Sequence, residues 1–119
     1  MTEDQIRSDV ASGVMRADNA LPLVEAALRI EPSPSWWLLR GHLIQLADTS
    51  PYPLIEAAKS YEEAHRLAPD DPEPLEELGH FYDAVMEDRV EAERFYRAAL
   101  AKGAGETCYQ ALTELLEEG

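Results

Sequence analysis

Residues 61–75 read YEEAHRLAPDDPEPL. Strong helix formers run into Pro-Asp-Asp-Pro, and an apolar residue then opens a new segment. This is either one helix ending or one unit of a repeat, and the rest of the chain decides which. LVEAALRIEPS (23–33) and AERFYRAALAKG (92–103) follow the same pattern. Ala20, Ala57 and Ala92 correspond, followed four residues later by Val24, Tyr61 and Tyr96, and three further on by Ala27, Ala64 and Ala99. Offsets of four and seven lie on one helical stripe, where small alanines admit a neighbouring helix and Val or Tyr fills the gap. The copies are 37 and 35 residues apart, and Pro32 and Pro69 close the first two. The stretch belongs to a repeat.

The segments before these helices also align. WLLRGHLI (37–44) matches LEELGHFY (75–82), with Gly41 over Gly79 and His42 over His80. A glycine inside a helix costs ~1 kcal/mol relative to alanine, so its double use predicts a close helix crossing at that register. Ser33-Pro34 and Asp71-Pro72 each set a capping residue before a proline at the first helical position. Thr2 with Gln5, and Asp88 with Glu91, read as capping boxes. Pro22 and Pro53 fall where a first helical turn tolerates proline. Helices are expected near 3–16, 20–31, 34–47, 53–68, 72–86, 89–102 and 106–117.

This pattern resembles the tetratricopeptide repeat family, whose units pair a helix A with a helix B. Leu75, Leu78-Gly79, Tyr82, Ala92, Tyr96, Ala99 and Leu100 carry the likeness in one unit. Trp37, Gly41, Ile44, Ala57, Tyr61, Ala64 and Pro69 carry it in another. Arg40 stands where the family has Leu, His65 replaces the Leu found at 28 and 100, and Ala104 stands where a closing Pro would be; the turn at 47–52 is long, and the third unit's turn has one extra residue. The resemblance implies an all-α, right-handed α-solenoid within a single domain. Its hairpin units would be about 1–33, 34–71 and 72–104, with a capping helix at 105–119. It also implies a non-enzymatic adaptor or chaperone that binds a peptide in a groove lined by the A helices. Carried over, the groove residues are Ser35, Leu38, His42 and Gln45, then Glu73, Glu76, His80 and Asp83. The family's basic clamp for a terminal carboxylate is missing: Leu38, Leu39, His42, Glu73 and Glu77 occupy its positions.

Charge points the same way. The 119 residues hold 24 acidic and 10 basic side chains, a formal net charge of −14. Such a chain repels nucleic-acid phosphates and anionic membranes, so neither is an expected partner, and a basic segment is the complement. The competing account is that these glutamates only solvate an exposed face. A dedicated acidic chaperone, or an immunity-type protein masking a basic client, is an alternative. Another is a metal-binding or catalytic role centred on His80, since Glu76, His80 and Asp83 recur at helical spacing with ligand chemistry. No cofactor is expected.

Cys108 is the single cysteine and reads as a core residue with Ala111, Leu112 and Leu115. Trp37 is expected in the core, and Trp36 in packing over a neighbouring helix. With neither a leader-like start nor an apolar span of ~20 residues, a cytoplasmic location is expected. Oligomeric state is open, with a monomer as the default.

Overall fold

A computed structural model describes residues 1–118, which form seven helices and no strand. They are α1 (Glu3–Ala11), α2 (Ala17–Ile30), α3 (Pro34–Leu46), α4 (Ile55–Leu67), α5 (Pro72–His80), α6 (Arg89–Ala101) and α7 (Glu106–Glu117). A π-helical turn, Phe81–Val85, continues α5. No helix among the described residues is long and apolar enough to cross a membrane. The chain forms two compact units, Met1–Leu67 and Ala68–Gly119.

In the first unit, α3 packs against both α2 and α4. Ala57, Tyr61 and Ala64 of α4 are fully buried, as the repeat stripe requires, and so are Ala20 and Val24 of α2. Ala27 is only half-buried. In the second unit α5 packs against α6, and α6 against α7. Ala92, Tyr96 and Ala99 are fully buried there, and Cys108, Leu112 and Leu115 turn inward from α7.

The expected caps form. Thr2, Ser33, Asp71 and Asp88 accept from the backbone N–H groups of Gln5, Trp36, Glu73 and Glu91 at 3.0–3.3 Å. The helix expected over 3–16 does not run its full length. Gly13 adopts φ +82°, a left-handed conformation that ends the helix, and Val14 is left 77% exposed. The chain then re-enters helix at Ala17, so Pro22 falls in the second turn of α2 and stays exposed.

The long turn after α3 is tied back to α2. Asp18 accepts from the backbone N–H of Asp48 at 2.9 Å and of Thr49 at 2.8 Å, and also from the Thr49 hydroxyl. These bonds favour the ionised form, the Thr49 hydroxyl most of all, and lower the Asp18 carboxyl to about 2. Pro53 lies just ahead of α4 and accepts from Glu56 N at 3.0 Å. The other long turn absorbs its extra residue as the π-helical segment, closed by Met86 N donating to Phe81 O at 3.2 Å.

Candidate functional site: a repeated glycine–tyrosine joint

Each unit contains the close crossing that its glycine predicts. A Cβ added at Gly41 would lie 2.8 Å from Tyr61 Cζ, and one at Gly79 would lie 2.6 Å from Tyr96 Cε1. Both are far inside the ~3.5–4.0 Å of ordinary carbon contact. The tyrosine ring of one helix thus fills the space that the glycine of the other leaves open.

A buried tyrosine must also satisfy its hydroxyl. The residue four positions after each glycine does this, and in the second unit the residue next to the glycine also reaches the hydroxyl. In the first unit Gln45 donates its amide N–H to the Tyr61 hydroxyl. His42 meets the Tyr61 ring edge-on at 5.6 Å, with its Nδ1 3.4 Å from Arg7 Nη1. In the second, the Tyr96 hydroxyl donates to Asp83 Oδ2 at 3.0 Å and lies 3.0 Å from His80 Nδ1. His80 Nε2 faces Glu76 Oε2 at 3.4 Å. Burial, followed by the bond to Asp83, pushes the Tyr96 hydroxyl far above the usual phenol range, so it stays protonated. Behind it the buried Cys108 thiol donates to the Tyr96 carbonyl at 3.6 Å, and desolvation raises that thiol to about 11.

The eight groove residues read from the sequence therefore divide. His42, Gln45, Glu76, His80 and Asp83 belong to these joints, and Leu38 is buried in the core. Ser35 is half-buried in the first turn of α3, and Glu73 is exposed in the first turn of α5. The π-helical turn carries Asp83 and so brings it to the same hydroxyl that His80 reaches.

Two concavities open in the first unit. The smaller, about 220 Å³, lies between α1 and α3, with Val10, Leu39, Leu43 and Leu46 around Arg7 and His42. The larger, about 690 Å³, lies among α2, α3 and α4 and was not anticipated from the sequence. At its base sits Arg40, whose side chain is only 10% exposed. Arg40 Nη1 donates to Ser60 Oγ at 2.6 Å, and its Nε and Nη2 lie 4.0 and 3.8 Å from Glu25 and Glu56. The guanidinium also rests 4.7 Å from the centroid of the Tyr52 ring and 5.7 Å from that of Trp37. Tyr52 donates to Glu25 at 2.6 Å, and that bond raises its hydroxyl above the ordinary value. Trp37, expected in the core, instead lines this cleft beside the guanidinium. The only signal in the sequence was an arginine at a position the repeat pattern fills with leucine.

Among the described residues no three His, Cys, Asp or Glu side chains are grouped so as to hold a metal ion. His80 and Asp83 are instead engaged by Tyr96. No model of a known protein family matches the chain, and no curated protein matches its sequence.

Proposed function

We propose that this chain is a non-enzymatic protein-interaction module built of tetratricopeptide-like helix hairpins. It takes a peptide or protein segment bearing Lys or Arg onto the acidic face of α5 and its π-helical extension. The observation that carries the reading is a one-signed run of charge. Residues 72–88, which form α5, its π-helical extension and the turn after it, hold Glu73, Glu76, Glu77, Asp83, Glu87 and Asp88 and no Lys or Arg. Glu73 is exposed, Glu76 faces the His80 imidazole and Asp83 the Tyr96 hydroxyl. Opposite charge across an interface supplies orientation and encounter rate before it supplies affinity.

Selection of a phage-displayed random nonapeptide library on the protein tests this reading. Lys- and Arg-rich sequences should be enriched, and they should be lost on the Glu73→Gln, Glu76→Gln, Asp83→Asn variant, which keeps side-chain shape. Equal enrichment on both proteins would refute it.

A further inference from the structure

The two joints share the glycine–tyrosine packing and an edge-on histidine but differ in chemistry. Where the first unit uses the neutral amide of Gln45 to satisfy its tyrosine, the second uses the carboxylate of Asp83. Where the first has the aliphatic Leu38, the second has Glu76 beside the imidazole. An amide donor reaches the tyrosine hydroxyl in the first unit where a carboxylate acceptor does in the second.

Counting protons shows what the acids add. The second joint has three polar contacts: Glu76 with His80 Nε2, His80 Nδ1 with Tyr96 Oη, and Tyr96 Oη with Asp83. With both carboxylates ionised, the tyrosine supplies one proton and a neutral imidazole one more. Two protons serve three contacts, and one pair of acceptors is left facing without a hydrogen. If the imidazole proton is on Nδ1, the bare pair is Nε2 with Glu76; if it is on Nε2, the bare pair is Asp83 with the phenol oxygen. Only an imidazolium satisfies all three contacts. Histidine is the side chain whose charge ordinarily changes between about pH 5 and 8. The titratable groups at this joint are Glu76 and Asp83 on the histidine's own segment, Tyr96 from α6 and Cys108 from α7. The tyrosine and the thiol stay protonated across that range.

We propose that His80 is a proton-operated control on the acidic face. When protonated it draws Glu76 and Asp83 into the Tyr96 joint and cancels one of their two charges. When neutral it releases one of the two carboxylates to a cationic partner. The proposal rests on the functional reading above, and it states how that same surface is regulated. Capture of a basic segment should weaken as the medium acidifies.

The probe is fluorescein-labelled hexa-arginine, titrated by anisotropy at pH 7.5 and 5.5 and at fixed ionic strength. The wild type should bind more weakly at pH 5.5, by about two- to fivefold beyond His80→Gln, the size of one exposed charge pair. His65→Gln serves as the control and should behave as wild type. In parallel, long-range ¹⁵N–¹H spectra follow the His80 ring, whose titration should move on Asp83→Asn and on Glu76→Gln. Binding with the same pH ratio in wild type and His80→Gln would overturn the control while leaving the acidic-surface reading intact. A His80 titration indifferent to both substitutions would do likewise. No binding at either pH would remove the acidic-surface reading itself, and the control with it.

Discussion

Replacing Gly79 by alanine gives the sharpest test of the joint, because two effects of opposite sign compete there. In an uncrowded helix interior the change stabilises by ~1 kcal/mol, since alanine is the better helix former. Here the new methyl would lie 2.6 Å from Tyr96 Cε1 and 3.1 Å from Cγ. The ring cannot simply slide away, because Tyr96 is fully buried and its hydroxyl is held by Asp83 and His80. Moving it stretches hydrogen bonds worth ~0.5–1.5 kcal/mol each, and leaving it in place overpacks the crossing at ~1–3 kcal/mol. Against the ~1 kcal/mol gain, the balance is a net loss of up to about 2 kcal/mol. Urea unfolding followed by circular dichroism measures it, with an unchanged slope indicating that the same surface is exposed. Gly41→Ala should lose stability for the same reason against Tyr61. Joining Gly79→Ala with Tyr96→Leu should cost less than the sum of the two, because the smaller side chain makes room. A Gly79→Ala protein about 1 kcal/mol more stable than wild type, the full gain of an uncrowded helix, would mean that the ring is not seated on the glycine and would undo the account of both joints.

Two further predictions concern the first unit. The depressed Asp18 carboxyl contributes stability that is fully present above its unfolded value of 3.8 and is lost as pH falls toward about 2. Carboxyl NMR should find Asp18 titrating below the other aspartates, and Asp18→Asn should flatten the acid limb and loosen the 47–52 turn in hydrogen exchange. Arg40→Met keeps the volume but leaves Glu25 without its cation, Glu56 with Lys59 in place of two cations, and Ser60 without its donor. Since both carboxylates remain partly solvated, a loss of about 1–3 kcal/mol in urea unfolding is expected, and Glu25→Gln added to it should recover part.

Features governed by near neighbours in the chain were legible in the sequence. Ser33-Pro34, Asp71-Pro72 and Asp88 announce helix starts because a cap acts over three residues. The Ala–Tyr–Ala stripes and the two glycines announce a crossing because the repeat shows the same compromise twice. Misreadings came where one local signal overrode a periodic one. Ile6, Val10 and Val14 suggest a helix to residue 16, yet Gly13 in a left-handed conformation ends it at Ala11. The extra residue before α6 was visible as a length mismatch, but its absorption as a π-helical turn depends on tertiary packing. The Arg40 cluster draws Glu25, Tyr52, Glu56 and Ser60 from three separate segments, and no spacing rule links them. Of the candidate site, the polar positions on α3 and α5 could be read, but their engagement with a buried tyrosine hydroxyl could not. That depends on which way the helix B ring points.

The glycine–tyrosine joint also bears on the order in which the second unit folds. Helix α5 has nine residues, two of them proline and one glycine, whereas isolated helices shorter than ~12–15 residues are marginal in water. It therefore has little reason to exist before α6 delivers Tyr96, and Tyr96 has no seat until the glycine segment has coiled. The two helices should appear in one kinetic step, and a synthetic peptide of residues 72–86 should be a coil. A chain nicked between them would lose both helices together, so the turn at 86–88 is where a protease would unmake the unit in a single cut.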